Sequence, residues 1–147
     1  MLPARQLLFD IPIFYPGTPG AAGQYIYILL TDTASLTSLA VNAHVGFKLV
    51  TSGSGYQPAG LFGTTSDGTT EAVTPQLATI GTITTIQSLK LVFIPGTSCK
   101  FYLNGALVAT ILTNLPSIGV APYIYFGIGG GPAETFNFGR VLITKQY

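Results

Sequence analysis

The sequence predicts an all-β fold: two antiparallel sheets packed face to face as a β-sandwich, preceded by an extended N-terminal arm. Three observations carry this prediction. Short β-branched and aromatic runs recur at intervals of about ten residues, punctuated by Gly, Pro, Thr and Asn, which is the pattern of sandwiches and barrels. Apolar residues do not repeat at three and four over any long window, apart from one possible turn at residues 35–41. One β-hairpin is spelled out directly, at Asn104-Gly105.

Taken in chain order, residues 24–30 (QYIYILL) read as a strand, and residues 45–50 (VGFKLV) as another, closed by the Ser52-Gly53-Ser54-Gly55 loop. Residues 60–63 form a third and end before a Ser66-Asp67-Gly68 turn; residues 71–73 follow. The Thr-rich residues 79–85 suit a solvated strand face, where Thr keeps β propensity without charge. Residues 89–94 (LKLVFI) stop at Pro95-Gly96, a pair that fixes one φ and frees the next. Residues 100–103 then run into Asn104-Gly105, and residues 106–110 run back out. Asn-Gly tolerates positive φ at both central positions, so a two-residue type I′ turn joins the strands with matching twist. Residues 123–128 and 139–144 complete a set of eight or nine strands.

The first twenty residues break the pattern. Pro3, Pro12, Pro16 and Pro19 interrupt an otherwise apolar stretch, and proline cannot donate to an interior ladder. Two placements fit: an edge strand plus loop of the same sandwich, or an arm over residues 1–20 that lies on a neighbouring subunit and hides Leu7, Leu8, Phe9, Ile11, Ile13, Phe14 and Tyr15. The organisation expected is therefore arm 1–20 and sandwich 21–147.

Composition narrows the function. Of 147 residues, 48% are hydrophobic and 7% charged, with a formal net charge of +1; a soluble domain usually carries about a quarter charged residues. Disorder is excluded, because it needs low hydrophobicity and high charge. Six scattered Lys and Arg cannot neutralise a run of phosphates, so no nucleic-acid partner is expected. No membrane partner is expected either: a helical span needs roughly 20 unbroken apolar residues, and the charge-free stretches 11–31 and 101–133 are cut by Pro and Gly every few residues. The first residues lack the apolar core of a signal peptide, so synthesis in a cytoplasm is expected.

The inventory of reactive groups is short. The carboxylates are Asp10, Asp32, Asp67, Glu71 and Glu134. Glycoside hydrolysis needs two carboxyls flanking a bond, and no strand here alternates two acids. Asp67 reads as a turn residue and Glu71 as a solvent-facing strand start. His44, the single histidine, reads as a satisfied, half-buried residue at a strand edge. Cys99, the single cysteine, reads as a bystander thiol in a turn beside Lys100. Gly127 and Gly129-Gly130-Gly131 resemble a phosphate loop only superficially, since Pro132 and not a helix start follows. No catalytic residue, metal ligand or cofactor is expected, and the chain reads as a non-enzyme.

The order of motifs from residue 44 to 144 resembles a known group. His44-Val45-Gly46-Phe47-Lys48, Ser66-Asp67-Gly68-Thr69-Thr70, the Thr/Ile-rich strand, Leu91-Val92-Phe93, the hairpin from Lys100 to Thr110 and the closing Thr113-Asn114-Leu115-Pro116 are similar to concanavalin A-like, jelly-roll sandwich modules of tailed-phage structural proteins. Size, arm and scarce charge look most like a small head decoration (auxiliary or cement) protein. The resemblance implies a virion protein on the capsid exterior, binding the major capsid protein as a homotrimer. Sparse charge fits that implication: a neutral exterior favours association over colloidal repulsion. The alternative is a carbohydrate-binding, lectin-like module of a tail or spike, for which the eight tyrosines offer stacking rings.

Overall fold

In the computed structural model, residues 6–14, 25–32, 42–50, 59–79, 87–117, 121–125, 128–129, 137–138 and 140–146 are described. They form two antiparallel sheets, as the strand pattern predicts. The six-stranded sheet has β1 (Gln6–Phe14) beside β7 (Gln87–Ile94), then β8 (Ser98–Leu103) and β9 (Ala106–Ile111). On its other side β1 meets β13 (Leu142–Gln146) and β12 (Asn137–Phe138). The seven-stranded sheet runs from β10 (Ala121–Tyr125) and β11 (Ile128–Gly129) through β2 (Tyr25–Thr31), β3 (His44–Val50) and β4 (Gly60–Ser66) to β5 (Glu71–Val73) and β6 (Ala78–Thr79).

Local sequence explains the connections. Asn104 and Gly105 have φ of 51° and 83°, the two positive values that a type I′ turn requires. Asn104 does more than tolerate its conformation. Its side-chain oxygen accepts from the Ser88 backbone N–H at 2.9 Å, and its amide donates to Gln87 Oε1 at 2.6 Å. The tip of the β8–β9 hairpin is thus bolted to the start of β7. In the Asp67 turn, Asp67 Oδ1 accepts from Thr69 N, Thr69 Oγ1 and Thr70 N at 2.8, 2.7 and 3.0 Å. These donors hold the carboxyl below its ordinary pKa.

The core is the layer between the sheets. On β7, burial alternates strictly, with Leu89, Leu91 and Phe93 inward. Phe101 from β8 crosses the layer and meets Phe47 of β3 edge to face, with ring centroids 5.5 Å apart and planes at 80°. It fits because residue 63 is glycine: a Cβ there would come within 2.7 Å of the Phe101 ring.

The N-terminal expectation is corrected by this structure. Over residues 6–14 there is neither an arm nor an edge strand, but an interior strand paired with β7 along Leu7–Ile13 and with β13 and β12 on the other side. Phe9, Ile11 and Ile13 are buried in the protein's own core, Leu7 packs against it, and Leu8 falls on the opposite face. Proline is tolerated because Pro12 lies where one flanking strand gives way to another: β13 pairs up to Asp10, and β12 takes over at Ile13. The missing N–H coincides with a gap in pairing. Phe14 belongs to the strand, while Tyr15, residues 1–5 and 16–20, the turn at 35–41 and most of the Thr-rich run lie outside the described residues.

Two stability outcomes follow. Ile11→Ala should lower unfolding free energy by about 2–5 kcal/mol, as for other fully buried large-to-small changes, read as a lower urea midpoint at unchanged m-value. Were the segment an arm on another subunit, the monomer's midpoint would not move. Gly63→Ala should cost about 1–3 kcal/mol by overpacking against Phe101, measured the same way.

Candidate functional site

Two side-chain groupings stand out, one on the outer face of each sheet. The first is on the seven-stranded sheet. Along β3, Val45, Phe47 and Leu49 face the core, so His44, Gly46 and Lys48 face away from it. That second face is buried as well: Leu29, Val50 and Phe62 are fully or almost fully covered although they do not belong to the inter-sheet cluster. Gly46 makes room for this, since a Cβ there would meet Leu29 Cδ2 at 2.8 Å.

Polar groups share this covered face. His44 is fully buried on β3; its Nδ1 lies 2.8 Å from the Asn42 carbonyl and its Nε2 lies 3.0 Å from Thr64 Oγ1. A carbonyl can only accept, so Nδ1 carries a proton. Thr64 Oγ1 also lies 2.7 Å from Glu71 Oε1, so its one hydroxyl proton goes either to that carboxylate or to Nε2 of the neutral ring, and Lys48 Nζ lies 3.9 Å from the same Glu71 oxygen. Histidine, threonine, glutamate and lysine from β3, β4 and β5 therefore form one chain. Burial is the largest influence on His44 and holds its pKa below the ordinary value; the Asn42 carbonyl and Glu71 act in the opposite direction.

Several sequence expectations are adjusted here. His44 is fully buried on an interior strand, not half-buried at an edge. Glu71 does not face open solvent but lies against the Thr64 hydroxyl. Cys99 is no turn residue: it sits on β8, wholly buried in the core, and desolvation raises its thiol pKa far above normal. The triple-glycine loop, except for Gly129, and Glu134 lie outside the described residues. Among those that are described, no three His, Cys, Asp or Glu side chains converge as a metal would need.

The second grouping is accessible. On the outer face of the six-stranded sheet, Asp10 of β1 pairs with Lys90 of β7, and Lys90 pairs with Tyr102 of β8. These three form one row across adjacent strands, all partly exposed. Neighbouring strands are about 4.8 Å apart, so the row spans roughly 10 Å. Ser88 donates to Asp10 Oδ1 at 3.4 Å, and the Lys90 ammonium lies 5.5 Å from the centre of the Tyr102 ring. This combination places a carboxylate acceptor, a hydroxyl, a cationic donor and an aromatic surface side by side. Sequence reading passed over it because the three residues are 12 to 92 positions apart and only the strand register aligns them.

By sequence, no family model and no curated protein matches the chain. By structure it is similar to Caenorhabditis elegans galectin LEC-6, at 15% identity and TM-score 0.54, over 94% of this chain and 81% of the galectin. It is similar to alginate lyase vAL-1 from a Chlorella virus, at 12% identity and TM-score 0.58, over 99% of this chain and 73% of the lyase. It also matches a botulinum neurotoxin serotype D/C binding domain, at 15% identity and TM-score 0.53, over 96% of this chain but 31% of that one. The fold is a jelly-roll sandwich of this kind. The expectation of a non-enzyme is overturned by the lyase, which has the same fold and is catalytic.

The His44 chain makes two outcomes measurable. Thr64→Val, which keeps shape and removes the hydroxyl, should cost about 1–3 kcal/mol by leaving buried partners unsatisfied, while Thr64→Ser should recover most of it; urea titration reads both. Because the folded pKa of His44 is lowered, the unfolded chain takes up the proton first as pH falls, so the imidazole's contribution is intact above its ordinary value of 6.5 and is lost below it. The urea midpoint should therefore fall as pH drops through 6.5, with a shallower slope in His44→Gln.

Proposed function

We propose that the chain is a saccharide-binding module whose site is the row Asp10, Lys90 and Tyr102 on the outer face of the six-stranded sheet. The observation that carries this reading is the register: Asp10 opposite Lys90, Lys90 opposite Tyr102. A pyranose presents hydroxyls at its rim and C–H bonds on its face. Tyr102 offers a ring for that face, Asp10 accepts from two hydroxyls, and Lys90 and Ser88 donate. Lys90 now rests over the Tyr102 ring; swinging aside on its flexible stem frees both ring and donors for the ligand. The structural neighbours support the reading at the level of fold, since a galectin and an alginate lyase both bear names tied to saccharides. Holding a sugar chain against the sheet is a step that recognition and cleavage have in common.

Capsid decoration is the second reading, favoured by the sparse charge and by the exposed Leu107, Val108 and Leu112. One experiment separates the two. Titration with a panel of neutral and uronate oligosaccharides, followed by calorimetry, should show saturable binding at about 1 mM or tighter for at least one member, worth some 4 kcal/mol. Tyr102→Ala should weaken it tenfold or more, while Lys48→Ala on the other sheet should leave it unchanged. No saturable binding across the panel, or indifference to Tyr102→Ala, would overturn the saccharide reading.

A further inference from the structure

The β9 strand is the end of the six-stranded sheet among the described residues. Its outer edge presents the backbone N–H and C=O groups that a neighbouring strand would use, a feature that soluble proteins usually guard with charge, proline or distortion. Here the guard is slight. The strand reads Ala-Leu-Val-Ala-Thr-Ile, without charge, proline or glycine. One irregularity interrupts it, where the partner register passes from Phe101↔Ala109 to Tyr102↔Leu107 and leaves Val108 extra; beyond it Ala109, Thr110 and Ile111 pair regularly with β8. Of the four exposed large hydrophobics among the described residues, three fall in or just after this strand: Leu107 at 54%, Val108 at 41% and Leu112 at 69%.

We infer that β9 is a self-association edge, pairing antiparallel with β9 of a second copy about a two-fold axis at Thr110. The chemistry of the strand selects the occupant. A two-fold contact needs a surface complementary to itself, and an uncharged strand meeting its own reverse brings no like charges face to face. Centring on Thr110 sets Ala109 opposite the partner's Ile111. It also sets Val108 opposite the partner's Leu112, so that each exposed side chain covers the other. The nearest cation is Lys100, directly across from Thr110 on β8. In the paired state the two Lys100 residues stand three strand spacings apart, about 14 Å, beyond the screening length of roughly 8 Å at physiological salt. Repulsion between them is therefore small. The join would make one continuous sheet from two six-stranded sheets and leave the row Asp10–Lys90–Tyr102 outside the contact, so it is independent of the saccharide reading.

Sedimentation equilibrium of the full chain tests this, together with charge variants at Thr110, an exposed position. The wild type should be a concentration-dependent dimer. Thr110→Lys and Thr110→Glu should each raise the dissociation constant at least tenfold, because like charges would then face each other across the axis. An equimolar mixture of the two variants should restore the dimer. Unchanged far-UV circular dichroism and urea midpoints would show that each variant folds. A wild type that stays monomeric at millimolar concentration, one that forms trimers, or a dimer indifferent to both charges would overturn the inference.

Discussion

The packing of Phe101 across the inter-sheet layer is the contact on which the rest of the sandwich depends. The ring comes from β8 of one sheet, lies against the bare backbone of Gly63 in the other, and meets Phe47 edge to face. Aromatic pairs in this geometry add about 0.5–1.5 kcal/mol beyond the area they bury. The larger consequence is positional. Because β8 is tied to β9 by the Asn104-Gly105 turn and to β7 by the Asn104 side chain, fixing Phe101 also fixes where the hairpin and the Tyr102 row stand.

The two sheets differ in what they cover. The central strands β2 to β4 of the seven-stranded sheet are largely buried on both faces, and every position of β4 is buried, including Thr64, Thr65 and Ser66. Buried polar groups must find partners or cost free energy, and the His44–Thr64–Glu71–Lys48 chain is how this face meets that demand. It spans three strands and so also pins their register, since a slip of one residue would turn each of these groups to the core side. Among the described residues the six-stranded sheet is buried on one face only, and its outer side is partly exposed.

An uncharged surface has to be read with this asymmetry in mind. Low charge alone would suit a protein whose whole exterior is covered by sister subunits. Much of the apolar content is instead used internally, because a sheet covered on both sides consumes about twice the apolar surface of one exposed to water on one side. Among the described residues, three of the four exposed large hydrophobics lie in or just after one edge strand.

What the sequence alone determined was local. The Asn104-Gly105 hairpin, the Asp67 turn and the approximate spans of β2, β3 and β7 to β9 are legible because the preferences that make them act over two to eight consecutive residues. The two-sheet antiparallel sandwich followed from the spacing of those units. The place of residues 6–14 was not legible: Pro12 signals an edge or an arm, and only the hand-over from β13 to β12 shows how an interior strand accommodates it. Nor could sequence reveal the Asp10–Lys90–Tyr102 row or the chain of polar groups around His44, whose members are separated by up to 92 positions. Backbone propensity is written in neighbours along the chain. Burial on both faces, cross-strand alignment and proton partners are decided by which distant strands come to lie side by side, and that is settled only by tertiary packing.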